Sequence, residues 1–470
     1  MDFRSHRLVD LAAKVRSKEI SAREVVESSL ARIESLEPKL NAFVTLDGDR
    51  AMADADVIDE RLVNEEGVGP LAGMPLAVKD LEDVTGFPTR YGSVLSSEEP
   101  AAGDSVLVAR LRAAGCVVVG KTTTPEYGHK GVTESPLSGV TRNPWDPNRS
   151  PGGSSGGSAA ALASGMVPLA TGSDGGGSIR IPSAVCGLTS IKTTQGRVPN
   201  GGPTPPGSGL LSVKGPMARL IDDVVFALDM CVGPHPTDPF SLPRSGAPWY
   251  EAIAPKRLPA SVAWSPTLGY ADVDDEIAQI CAAAVEKLAG TGTVVDPVET
   301  VWSEDPVMPW ITMWVASRAR TQGHLLGTPD FDKVTESLRG QVEWGMRLSA
   351  ADMARSIDAV HELNLQLETA FEQAPLLLTP VCAGHTPVIG DDGIIKDGLV
   401  NGQETQGWVG FTYGFNMTRN PAGTVNVGFT SDGMPVGLQV VGRQRDDLAV
   451  LQALSALEEL YGTDRMADIG

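Results

Sequence analysis

Apolar positions at helical spacing open the chain. Leu8, Leu11, Ala12 and Val15 fall on one face of residues 5–17, which predicts a helix there. Ser21 with Glu24 three positions later forms a capping-box pattern, and the helix that follows places Val25, Val26, Leu30 and Ile33 on one side. Both N-terminal helices are expected to dock on the core. Short continuous apolar runs then predict buried strands at Leu76 to Val78, Cys116 to Val119, Ser261 to Trp264 and Leu376 to Pro380. Lys79 sits at the end of the first. Helical patterns cover 105–113 and run on from about Asp274, with Ile277, Ile280, Cys281, Ala284 and Leu288. Residues 200–215 read as a Gly/Pro-rich loop. Val425 to Phe429 and Val436 to Val441 flank Thr430-Ser431-Asp432-Gly433, a hairpin pattern, and Leu448 to Leu460 predicts a closing helix.

One stretch breaks this patterning. Ser150 to Pro182 holds two glycine-serine clusters, Gly152-Gly153-Ser154-Ser155-Gly156-Gly157-Ser158 and Asp174-Gly175-Gly176-Gly177-Ser178. A flexible linker would have such a composition. It would not enclose the helix-favouring Ala159-Ala160-Ala161-Leu162-Ala163, nor lead straight into Ile179, Ile181 and Pro182. Glycine permits close backbone approach to a ligand, and consecutive N–H groups ahead of a serine can converge on a developing negative charge.

These residues resemble the amidase signature family of serine hydrolases. The matching pattern is Gly152 to Ser158 followed by Gly172-Ser173-Asp174-Gly175-Gly176-Gly177-Ser178-Ile179-Arg180-Ile181-Pro182, with Ser154 and Ser178 24 positions apart. Gly73-Met74-Pro75-Leu76-Ala77-Val78-Lys79-Asp80 is similar to the family segment that carries a catalytic lysine. Read from residues alone, a surface lysine at a strand end is much the commoner case, and only the resemblance reverses that weighting. Cys186 to Pro199 and Asn416 to Ala422 resemble two further family segments. The first departs from the pattern at Ser190 and Thr193. The resemblance runs from about residue 5 to 460 and is weakest between 200 and 400.

The resemblance implies an α/β fold: a single domain over 1–470, with a central mixed β-sheet between α-helices. It also implies a signature core over 74–198 and a variable, substrate-shaping region over 200–400. It implies Ser178 as nucleophile, Ser154 after a cis peptide bond as bridging serine, and Lys79 as base. The N–H groups of Gly175, Gly176, Gly177 and Ser178 form the expected oxyanion hole. Ser155 is expected to support the triad by hydrogen bonding, Asp174 and Arg180 to fix the loop, and Gly128 and His129 to lie beside the substrate. His129 could equally be a solvated loop histidine. A serine hydroxyl becomes a good nucleophile only when a base takes its proton, and lysine is a base only when burial lowers its pKa. A serine between them can both donate and accept.

Two other motifs lead nowhere, and one cluster stays open. Gly115 to Thr122 matches the spacing of a phosphate-binding loop, but its middle residues form an apolar strand. Gly152 to Gly156 matches a nucleophile elbow, but proline breaks the segment before it, and nothing marks out His385 as a partner. Trp302, Met308, Trp310, Met313, Trp314, Trp344 and Met346 concentrate large apolar side chains. Such a cluster is usually plain core, and the resemblance adds the wall of a substrate funnel as a second reading.

Composition narrows the partners. A formal net charge of −21 argues against phosphate backbones and anionic lipid. The cysteines Cys116, Cys186, Cys231, Cys281 and Cys382 are scattered and odd in number, which predicts a reducing, cytoplasmic setting. Neither they nor the histidines have metal-ligand spacing, so no metal site is expected, and the resemblance implies no organic cofactor. The start has no apolar signal region, and no run is long enough to span a membrane. The expected activity is hydrolysis of small amides, extending to esters or carbamates, by a monomer or homodimer. The competing reading is the A subunit of a tRNA-dependent amidotransferase with glutaminase activity. Ile181 argues against it, because those subunits usually carry glutamine after the signature arginine.

Overall fold

The computed structural model describes residues 1–202, 209–244, 246–391, 393–462 and 465–469. The part of the expected 200–215 loop from 203 to 208 lies outside the described residues.

Two mixed sheets carry the fold. The first has the strand order Phe43–Leu46, Val117–Thr122, Pro75–Lys79, Leu169–Asp174, Val213–Met217. Its three inner strands are parallel to one another, and both edge strands are antiparallel. The second has the order Val294–Pro297, Ser261–Trp264, Leu376–Pro380, Pro435–Gly442, Ala422–Phe429, Ser190–Lys192. The Ser190–Lys192 and Val213–Met217 edges approach each other, so the sheets adjoin. The mixed α/β architecture expected from the resemblance is present, with its strands divided between two sheets.

Sequence patterning explains most elements. Leu8, Leu11, Ala12 and Val15 bury one face of the Leu8–Arg16 helix. Ser21 and Glu24 make the reciprocal capping box that opens the Ala22–Leu40 helix. Pro75–Lys79 is buried at every position, because helices cover both faces of the parallel strands. The Asp275–Ala289 and Asp447–Tyr461 helices and the hairpin around Ser431 also form where the pattern places them.

One reading needs correction. Val213–Met217 is a strand, although it falls partly inside the stretch read as a 200–215 loop. Gly215 and Pro216 hide it, since proline lacks a ladder donor. This strand lies at a sheet edge, where proline is tolerated. Within the matched spacing at Gly115 to Thr122, the strand expected over Cys116 to Val119 forms as Val117–Thr122, and Lys121 is buried there in an ion pair with Asp80 at 3.1 Å.

Candidate active site

The parallel strands Pro75–Lys79 and Leu169–Asp174 are neighbours. Lys79 and Asp174 therefore emerge at the same carboxyl edge of the sheet, the side where open α/β sheets place ligands. The wholly buried, small-residue helix Gly156–Ala163 packs against both strands, and its entry brings Ser154 and Ser155 to that edge. Small side chains allow this approach: a Cβ on Gly157 would stand 2.5 Å from the Thr123 backbone N. The Gly153–Ser154 peptide is cis. Residues 141–153, leading directly into Ser154, form no strand, which separates this arrangement from a nucleophile elbow.

Lys79 is fully buried, and its Nζ is ringed by hydroxyls. Ser154 Oγ and Ser155 Oγ each lie 2.8 Å away, and Ser173 Oγ 3.0 Å. Burial pushes the amine down to about 7, against the opposing pull of Asp174 and Glu82. A neutral amine has two N–H donors and one lone pair, so three hydroxyls can satisfy it while one of them donates to nitrogen.

Ser178, Ser154, Ser173, Gly175 and Gly128 line one cavity of about 300 Å³. Its walls include Leu81, Tyr91, Tyr127, Trp314 and Arg318, and the ion-paired Lys214 and Glu82. Tyr91 and Tyr127 stack at 5.7 Å, and the Arg318 guanidinium lies 4.2 Å over the Trp314 ring.

The loop between Asp174 and Ser178 is held by its carbonyls. Asn416 Nδ2 donates to the Asp174 carbonyl at 2.9 Å, Trp310 Nε1 to Gly175 at 2.9 Å and Thr412 Oγ1 to Gly176 at 2.5 Å. The Ile181 N–H donates to the Gly177 carbonyl at 2.7 Å. In a trans peptide the N–H points opposite the carbonyl. Each bond therefore also sets the direction of the next residue's N–H. Among the described residues, the N–H groups of Gly175, Gly176 and Ser178 have no acceptor. The Gly177 N–H does: it donates to Asp174 Oδ1 at 2.7 Å. That corrects the expectation of four open amides, because the carboxylate that caps the turn takes the third one. Gly177 has φ +125°, and a Cβ there would meet Thr412 Oγ1 at 2.4 Å.

Asp174 is itself pinned. Arg180, also fully buried, binds it through Nε and Nη2 at 2.9 Å each. Burial alone would raise the carboxyl pKa. The guanidinium charge and its hydrogen bonds, with Lys192 and Asn416, hold it well below the usual range. Arg180 reaches on to Gln439 Oε1 at 2.6 Å and Asn416 Oδ1 at 2.7 Å. Ser155 accepts the Ser173 N–H at 3.3 Å, tying the two clusters together.

Gly128 and His129 part company. Gly128, at φ +67°, faces Ser154 so closely that a Cβ would stand 3.2 Å from Ser154 Oγ. His129 lines no part of the cavity. Its buried ring bonds the Glu126 carbonyl at 2.8 Å and Ser337 Oγ at 2.6 Å, and burial drives its pKa down to about 3. The turn that presents Gly128 folds the next side chain inward. His385 lies elsewhere, beside Asp274 at 3.2 Å. Sequence reading gave Ser173, Trp310, Thr412 and Asn416 no role in this site. Ser173 stands inside the signature itself; the other three approach from sequence-distant segments.

The described residues hold no cluster of metal-ligating side chains, and their helices include none long and apolar enough to cross a membrane.

Two adjoining mixed sheets, with a lysine and serines gathered at a glycine-rich carboxyl edge, define an α/β enzyme. Residues 24–451 match the family model described as Amidase. The chain is 35% identical over 457 residues to an acylamidase of Rhodococcus erythropolis, covering 96% of this chain and 94% of the relative. It is 32% identical to a 6-aminohexanoate-cyclic-dimer hydrolase of Paenarthrobacter ureafaciens, covering 95% and 93%. Among solved structures, a bacterial aryl acylamidase of the amidase signature family matches with TM-score 0.91 and 29% identity, over 97% of this chain and 96% of that one. A substrate complex of 6-aminohexanoate cyclic dimer hydrolase matches with TM-score 0.87 and 30% identity, over 99% of each chain. The chain belongs to the amidase family and is a hydrolase of amide C–N bonds.

Proposed function

We propose that the protein cleaves small amides through an acyl-enzyme on Ser178. The observation that carries this reading is the buried Lys79 Nζ 2.8 Å from Ser154 Oγ, with Ser154 and Ser178 lining the same cavity. Neutral Lys79 accepts the Ser154 proton as Ser154 takes the proton of Ser178. Ser178 Oγ attacks the amide carbon, and the negative oxygen is received by the N–H groups of Gly175, Gly176 and Ser178. The protons then pass to the departing nitrogen, the C–N bond breaks and the amine leaves. Water, activated through the same relay, releases the acid and restores Ser178. Gly177, Asp174 and Arg180 shape the donor loop. Loss of one such donor typically slows turnover by about 10²–10³.

Tyr91, Tyr127 and Trp314 give the cavity aromatic walls. Together with relatives named acylamidase and aryl acylamidase, they support aryl amides as the substrate class. Esters and carbamates of the same acyl groups fit the same chemistry. The test is hydrolysis of a matched aryl amide, aryl ester and aryl carbamate by wild type and Ser178→Ala. The reading expects activity that disappears in the variant; wild-type rates in Ser178→Ala overturn it.

A further inference from the structure

We propose that Trp310 is a positioning residue of the oxyanion loop, its indole N–H aiming the Gly176 amide at the reacting oxygen. The inference rests on the function proposed above.

The geometry separates Trp310 from an ordinary core tryptophan. It lies on the Val307–Gln322 helix, 135 positions from its acceptor. Its ring stacks on Trp314 at 5.4 Å and on Tyr413 at 5.2 Å. Tyr413 is held in turn by its hydroxyl, which donates to Asp305 at 2.6 Å. Two stacks fix the plane of the indole, and with it the direction of the N–H. That N–H goes to the Gly175 carbonyl at 2.9 Å.

The consequence follows from peptide planarity. The Gly175 carbonyl and the Gly176 N–H belong to one trans unit, so anchoring the oxygen on Trp310 turns the N–H away from it. Glycines have no side chain to hold this peptide, and free rotation would spread the donor over many directions. Asn416, Thr412 and the helix turn at Ile181 hold the other three carbonyls. Trp310 holds this one. The contact is close enough to require glycine: a Cβ on Gly176 would meet Trp310 Cζ2 at 2.5 Å. The next turn of the same helix presents Trp314 to the cavity. One helix therefore shapes the substrate wall and aligns the catalytic donor.

The test compares full-length wild type, Trp310→Phe and a variant with 3-benzothienylalanine at position 310, which keeps the indole shape without the N–H. The readouts are kcat and KM on an aryl amide, and the affinity of an aryl trifluoromethyl ketone. Ser178 adds to that ketone as a tetrahedral oxyanion. We expect kcat to fall about tenfold in both variants, a fraction of the loss of a whole donor. Ketone affinity should fall by the same factor, and KM should stay within about twofold. An unchanged kcat with a raised KM, or an unchanged ketone affinity, overturns the inference and leaves Trp310 as cavity wall. The isosteric variant answers the question if Trp310→Phe fails to fold. Ser178→Ala, run alongside, separates the two claims. If it keeps wild-type activity, the function reading fails; if it is inactive while both Trp310 variants match wild type, only the Trp310 role fails.

Discussion

Lys79 Nζ lies 2.8 Å from Ser154 Oγ with no exposed surface on the lysine side chain. Burial holds this amine at about 7 rather than the 10.5 of a free lysine. The base must be neutral to accept a proton, so kcat/KM for an aryl amide should rise with pH and level off above about 7. A stopped-flow or chromogenic pH–rate profile checks this. A profile flat from pH 5.5 to 9 would remove Lys79 as the base.

The same shift has a cost in stability. Below pH 7 Lys79 is charged in both folded and unfolded chains, and the fold bears the full desolvation penalty. Between 7 and 10.5 the folded chain releases its proton first, and the penalty fades as pH rises. Lys79→Met should therefore abolish hydrolysis yet unfold at a higher temperature than wild type at pH 6. The difference should shrink toward pH 10. Thermal melts across that range decide it; a gap that widens with pH contradicts the account.

Asp174→Asn should be severe. It leaves the fully buried Arg180 guanidinium without its carboxylate, and removal of one partner of a buried pair typically costs about 3–5 kcal/mol. It also weakens the acceptor that holds the Gly177 N–H at 2.7 Å. Urea unfolding and turnover should both drop. Full activity with a wild-type midpoint would mean the pair does not shape the donor loop.

Gly176→Ala should lower kcat far more than it raises KM. The added methyl meets Trp310 2.5 Å away and displaces the peptide whose N–H is a proposed donor. A change confined to KM would place Gly176 outside the catalytic step.

His129→Asn should lower the melting temperature and leave the acid limb of the pH profile where it is. The ring is buried, bonds Glu126 and Ser337, and stays neutral at working pH. A shifted limb would bring His129 back into the chemistry.

The catalytic candidates were legible because the glycine-serine clusters resemble the amidase signature, and the resemblance names the residues. Ser154, Ser178 and Lys79 were named by matching short segments to that family, since residues alone did not mark out Lys79, whereas the capping box at Ser21 needed only four residues. Trp310, Thr412 and Asn416 had no such signal. Each acts through a single bond to a distant backbone carbonyl, and tertiary packing alone creates that approach. The Val213–Met217 strand was hidden by Pro216, which is acceptable only because the strand lies at an edge. Gly177 looked like its neighbours in sequence. The side chain of Asp174, three positions earlier, gives its amide a different task.

The most direct measurement is the intact mass of the enzyme quenched during turnover of an activated aryl ester, for wild type and Ser178→Ala. The account predicts a wild-type species heavier by one acyl group, mapped to the peptide containing Ser178, and none in the variant. An acyl group on another residue, or undiminished turnover in Ser178→Ala, would contradict it.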